Sequence, residues 1–166
     1  MAYVPTTTLL GIQPIAETST TARHPLGTRV DAVDGTYGGG TFLYLKGIGS
    51  TVVGSVVTYD QTGVTTLAPI TTKAIGNPLA VAMSANVASQ YGWYQTVGVA
   101  VIKKTAVKVS PAVVLYLSGT AGRAMPTLAT GREITGAITV NAATVLSATS
   151  TINAQIAWPA AIGVLT

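Results

Sequence analysis

From residue 41 onward the chain breaks into short runs rich in β-branched and aromatic residues, separated by Gly, Pro or Asn. "TFLYLKG", "TVVGSVVTY", "GVTTLAP", "PLAVAMS", "YGWYQTVG", "VAVIKK", "AVVLYLSG", "REITGAITV" and "INAQIAWP" follow one another at the spacing of sandwiches and barrels. Helix-period segments of useful length are nearly absent. Residues 82–90, "AMSANVASQ", suit one helical turn or a polar connection, and residues 141–149, "NAATVLSAT", tolerate either state. The expected fold is all-β: a compact β-sandwich or barrel-like domain with little helix.

The first 27 residues read differently, because Pro5, Pro14, Pro25 and threonine clusters interrupt every candidate run. They are expected to form an extended N-terminal arm, residues 1–27, ahead of a β-rich domain spanning 28–166. Within "TRVDAVDGTYGGG", 28–40, a short strand, an Asp-Gly turn at Asp34 and Gly35 and a glycine triplet suggest a loop ahead of the core.

Composition narrows what such a chain can do. Only 8% of its 166 residues are charged, against roughly 25% in an ordinary soluble domain, while 48% are hydrophobic. Mean hydropathy is +0.51. The longest apolar runs, "VGVAVI" and "AWPAAIGVL", fall far short of the about 20 residues a helical span needs, so no membrane partner is expected. The N-terminus shows neither a basic region nor an apolar core of a secretory leader, which points to cytoplasmic synthesis. With no cysteine, the fold must hold by packing. A soluble surface this poor in charge is best protected by partners, and threonine suits exposed strand faces. A net charge of +4, spread along the chain, argues only weakly for a polyanion.

Catalysis needs convergent ionisable groups or a metal, and the inventory is poor. The single histidine, His24, reads as an exposed loop residue beside Pro25, and no nucleophile-elbow motif accompanies it. Glu17, Asp31, Asp34, Asp60 and Glu133 are too scattered for a paired acid and base. "DAVDG" resembles a fragment of a calcium loop but lacks the closing glutamate, and a turn with Asp as a local acceptor explains it. "GIGSTVVG" has no Walker lysine and no helix start, so its glycines serve β connections and bulges. Catalytic, cofactor and metal residues are expected to be absent. Lys103, Lys104 and Lys108 lie near the aromatic cluster, as in a single-strand binder, but Lys103 and Lys104 point to opposite faces of a strand; no nucleic-acid partner is expected.

"SQYGWYQTVG", 89–98, places Tyr91, Trp93 and Tyr94 within four positions. Alternation sets Tyr91, Trp93, Gln95 and Val97 on one face and Gly92, Tyr94 and Thr96 on the other. Aromatics on both faces imply that both are covered, by core or by another subunit, whereas a sugar platform would show its rings on one open face.

Three stretches carry a resemblance: "HPLGTRVDAVDGTYGGGTFLYLKGIGSTVVGSVVTYD" (24–60), "AVAMSANVASQYGWYQTVGVAVIK" (80–103) and "VVLYLSGTAGRA" (113–124). In their order and spacing they resemble the head decoration, or cement, proteins of tailed bacteriophages. The resemblance implies a viral structural protein without an active site or cofactor. It would dock on the capsid exterior, bridge major capsid protein subunits, and self-associate as a homotrimer first and a dimer next. On that implication the interface candidates are Tyr3, Val4 and Pro5 in the arm, with Tyr91, Trp93, Tyr94 and Trp158 as buried anchors, since Trp and Tyr most often dominate interfaces. The alternative is a carbohydrate-binding or host-attachment β module on a virion surface.

Overall fold

Alternating β-branched and aromatic side chains set the strands, and glycines set where they bend. The computed structural model describes residues 2–6, 11–68, 76–86 and 88–162, and among them there is no helix. The strands are β1 (Val4–Pro5), β2 (Thr18–Ser19), β3 (Arg29–Asp34), β4 (Gly38–Lys46), β5 (Val56–Tyr59) and β6 (Thr65–Leu67). They continue with β7 (Leu79–Ala82), β8 (Tyr91–Lys103), β9 (Val114–Leu117), β10 (Ala124–Met125), β11 (Glu133–Thr139) and β12 (Thr151–Ile162). Neighbouring strands pair antiparallel in the order β1-β3-β4-β8-β12-β11-β9-β10, with β2 and β7 also on β8, and β5 between β6 and β7. The sheet folds over itself as a sandwich and does not close into a barrel, which settles the choice left open by the sequence.

The organising element is β8. "YGWYQTVG" and "VAVIKK" read as two strands, yet they form one strand of 13 residues. Its first half pairs with β4, Tyr44 opposite Trp93, and its second half pairs with β12, Asn153 opposite Val101. Gly98, at φ 104°, carries the chain from one partner to the other without breaking it. A Cβ there would run into the carbonyl oxygen of Gly39, so the bend requires glycine. Gln95 braces the same bend, its Nε2 donating to the carbonyl oxygens of Val97 and Val99, both at 3.1 Å.

Three hydrophobic clusters follow from this geometry. Phe42, Tyr44 and Trp93 point from β4 and β8 to one side, where Tyr3, Ile15, Val30 and Ala32 cover them. Leu43, Leu45 and Tyr94 point to the other side and meet Val57, Ala80 and Ala82 of the β5–β7 unit. The opposite face of that unit, with Val56, Leu79 and Val81, packs on Ala100, Ile102, Leu115, Ile134, Ile152 and Ile156. The middle of β4 and the first half of β8 are therefore buried on both faces, as the aromatics at 91–94 imply. Burying each large side chain contributes about 1.5–3 kcal/mol, which suits a fold that has no disulfide.

Several expectations are corrected. The described part of residues 1–27 is not a free arm: β1 pairs with β3, and Gln13, Ile15 and Ser19 are buried against the sheet. It forms a strap because Tyr44 and Trp93 would otherwise face water. Residues 28–40 are not a loop ahead of the core but the hairpin β3–β4, in which the glycine triplet opens β4. His24 is not exposed; it is buried between aromatic rings. In "TVVGSVVTY" only Val56–Tyr59 is strand. Gly54, at φ 82°, turns the chain ahead of it, close under the Val101 carbonyl. Residues 141–149 are irregular, tied to the body where Val145 pairs with Val109. Residues 7–10 of the arm, Pro69 ending "GVTTLAP", Val87 and the tail 163–166 lie outside the described residues.

Candidate functional site

The seven candidate anchors do not gather in one place. Tyr3 is buried; its ring stands edge-on to Phe42 at 4.9 Å and its hydroxyl donates to the Val99 carbonyl at 3.1 Å. Burial pushes its phenol above the ordinary tyrosine range. Val4 is 66% exposed and lies opposite Val33, also exposed, at the edge of the sheet, with Pro5 half-buried beside it. The segment thus supplies one anchor to the core and one apolar side chain to the surface.

Tyr91, Trp93 and Tyr94 serve the subunit's own interior. Trp93 has no exposure, and its Nε1 donates to the Gln13 carbonyl at 2.9 Å. Tyr91 is half-buried and stacks on Tyr44 at 6.3 Å. Tyr94, on the opposite face, accepts from Asn86 Nδ2 at 2.7 Å and meets the Thr65 hydroxyl at 3.5 Å. Burial pushes its phenol up to about 12. Rings with no exposure cannot be a platform for a sugar or a base, so Trp93 and Tyr94 are core, and Tyr91 packs against it.

A polar network overlooked in the sequence locks the strap over these rings. Gln13 Oε1 accepts from the hydroxyls of Ser19 at 2.9 Å and Tyr44 at 3.0 Å, while the Gln13 backbone N–H donates to His24 Nε2 at 3.2 Å. The imidazole lies 5.1 Å from Tyr44 and 5.6 Å from Trp93. With Nε2 occupied and the ring walled in, His24 cannot serve as a base for an outside substrate. A Gln-Pro-Ile stretch offers no periodicity, so no sequence signal marked it.

Two of the carboxylates, Asp34 and Asp60, are absorbed in turns, and Asp31 of β3 accepts from the Thr41 hydroxyl at 2.7 Å. Asp34 Oδ1 accepts from the amides of Thr36 and Tyr37, and Oδ2 accepts from the Ala2 amide at 2.7 Å. These bonds, that from Thr36 first, hold its carboxyl below the usual range. "DAVDG" therefore ends β3 and runs into a turn in which Asp34 is the local acceptor that its residues imply. Asp60 Oδ1 likewise closes its own turn with Thr62 and Val64. Among the described residues no three His, Asp or Glu side chains cluster as metal ligands would. Lys104 does not line a nucleic-acid surface: it is buried, and its Nζ donates to the carbonyls of Thr105, Val107 and Ser147. Desolvation lowers the pKa of this ammonium. A cleft of about 260 Å³ floored by Leu43, Leu45 and Tyr59 has Asp60, engaged in its own turn, as its only carboxylate.

The exception is Trp158. It is 49% exposed, not buried, and sits in β12 at φ 47°. That left-handed conformation costs an ordinary residue about 1–2 kcal/mol. Here Thr135 pairs with Ala160 and Ala137 with Ile156, so Gly136 alone faces three residues of β12. The bulge turns both Ala157 and Trp158 outward. The Arg29 guanidinium stands over the indole, 5.1 Å from its centroid, a cation–π contact worth about 0.5–1 kcal/mol at an exposed site. The available sequence signal was Pro159, since proline inside a strand marks a bulge.

No family model, no curated protein and no solved structure matches the chain.

Proposed function

We propose that this chain is a decoration, or cement, protein of a tailed bacteriophage head that docks on the capsid exterior and bridges major capsid protein subunits. The observation that supports it best is a charge-poor exterior around a core that the chain closes by itself. Val4, Val33, Leu128, Leu146 and Trp158 stand exposed on a chain with only 8% charged residues. Such a surface suits one that is shared with neighbours in an assembly. The action is mechanical: a rigid β body, made in the bacterial cytoplasm and seated on the virion, adds contacts across seams between subunits and opposes internal pressure. No residue is assigned a chemical step.

The decisive experiment mixes the purified protein with capsids stripped of it and images the particles. Ordered density on the exterior is expected; bare capsids at saturating protein would sink the reading. The carbohydrate-binding alternative rests on one observation, the half-exposed indole of Trp158, and moves away from buried Trp93. It predicts glycan-array binding that is lost in folded Trp158→Ala protein.

A further inference from the structure

We propose that Arg29, laid on the indole of Trp158, is a docking fork for one carboxylate, presented by an acidic side chain of a partner protein surface. The backbone gives the first reason. At φ 47° glycine or asparagine would close this bulge without strain, yet the position holds a tryptophan with half its surface in water. Strain kept at an exposed aromatic points to a task outside the fold. The task visible here is to carry Arg29, whose guanidinium stands 5.1 Å from the ring centroid although β3 and β12 share no ladder. The guanidinium itself is uncommitted. Among the described residues no oxygen accepts a hydrogen bond from it and no carboxylate pairs with it. Asp31, next on the same face of β3, accepts from the Thr41 hydroxyl, while Asp34 and Asp60 are spent on their own turns. An exposed planar fork of N–H donors, steadied by a ring, is pre-ordered for two parallel bonds to a carboxylate.

Charge selects the occupant. Arg29 is the only Lys or Arg in β3, β11 and β12, so the site offers one cation and not the row that a phosphate backbone needs. A sugar stacks on a bare ring face, and here the cation stands over the indole. A neutral surface would strip water from the guanidinium and return nothing. One carboxylate balances it. Free in solution, a small carboxylate would gain little from a single exposed pair. On a docked protein surface the same group is held by every other contact and loses its water there, which strengthens the pair. The net charge of +4 draws this chain toward an acidic surface from a distance. The inference rests on the capsid reading and adds what the capsid must present: an Asp or Glu on its exterior opposite each Trp158.

The test measures binding of the full-length protein to capsids stripped of it, across salt from about 0.05 to 0.5 M. The parent is compared with Arg29→Lys, Arg29→Gln and Arg29→Glu, which should all keep its Tm. Arg29→Gln should weaken binding at least about tenfold and flatten its salt dependence. Arg29→Lys keeps the charge but loses the fork and should fall between, whereas Arg29→Glu should abolish binding. Trp158→Asn, suited to the left-handed backbone, should keep Tm yet weaken binding, because the fork loses its support. Among capsids whose exterior Asp and Glu residues are changed singly to Lys, one should restore binding of Arg29→Glu. Parent protein that leaves capsids bare sinks the capsid reading, and this inference with it. A parent that binds while Arg29→Glu binds equally well would overturn the carboxylate fork alone. So would a loss of binding matched by a loss of Tm, or a complete capsid series without a rescuing member. Glycan binding that survives in Arg29→Glu but not in Trp158→Ala would overturn it too, assigning the ring to a sugar.

Discussion

Tyr94 is a phenol with no exposure whose proton is held up to about 12, and the sign of its effect on stability follows from that. The folded pKa lies above the unfolded value of 10.0, so the contribution is complete below pH 10 and is lost as pH rises toward 12. A shift of that size corresponds to a few kcal/mol, on the order of 1.4 kcal/mol for each pH unit. Tyr3 and Tyr59, also raised by burial, act in the same direction. Lys104 acts oppositely: its folded pKa is lowered, so its contribution grows with pH up to 10.5. Urea unfolding between pH 9 and 11.5 should therefore show stability falling chiefly above about pH 10.5, and Tyr94→Phe should flatten the fall. A variant with the same slope as the parent would show that Tyr94 is not the titrating group. Trp93→Ala should cost about 3–5 kcal/mol, while Trp93→Phe, losing the bond to Gln13 but keeping most packing, should cost less than half as much. Equal losses would mean that the ring itself contributes little. At this scale the sequence made both covered faces of 91–94 legible, because alternation assigns faces directly. His24 was misread because its burial depends on a partner distant in the chain, the strap at Gln13, and the outward turn of Trp158 was not legible because it rests on the bulge at Gly136.

Among the elements, the short β runs were legible as strands because turn residues bound them. How two of them fuse into β8 was not, since a glycine reads equally as a break or as a bend. Gly98 decides it by taking a positive φ where the strand passes over Gly39. Gly98→Ala should strain the backbone and push it off that carbonyl, lowering stability by about 2–4 kcal/mol by chemical denaturation. A neutral substitution would mean that the bend does not depend on glycine. The strap was less legible still, because its buried residues follow no period and find their partners in β4 and β8. Deleting residues 2–20 removes Tyr3, Gln13, Ile15 and Ser19 from over Tyr44 and Trp93. The deletion should lower stability by at least about 3 kcal/mol, not merely free an arm, and 8-anilinonaphthalene-1-sulfonate should report the uncovered rings. An unaltered unfolding midpoint would return the segment to the role of a dispensable tail.

At the scale of the whole molecule, the all-β class was legible and the pairing order was not, because a single sequence gives each strand's pattern without naming its neighbour. That order has a kinetic consequence. β8 finds β4 about fifty residues before it and β12 about fifty residues after it, and long chain loops must close before either ladder rewards the closure. No helix is present among the described residues to supply early local contacts. Because the central strand joins both halves, neither half can bury its face alone: Trp93 needs β4 and the strap, while Ala100 and Ile102 need β12. The nucleus must therefore include β8 with at least one distant partner. Refolding from denaturant should fall in the range of about 10 ms to 10 s at 25 °C, as expected for sandwiches dominated by non-local pairing. Ala100→Gly, thinning the contact with β12, should slow refolding more than Val4→Ala at the sheet edge, which should act mainly on unfolding if on either. Stopped-flow tryptophan fluorescence follows this directly, since Trp93 passes from water to full burial. Refolding faster than about 1 ms, or equal slowing by both substitutions, would mean that local turns rather than the β8 ladders set the barrier.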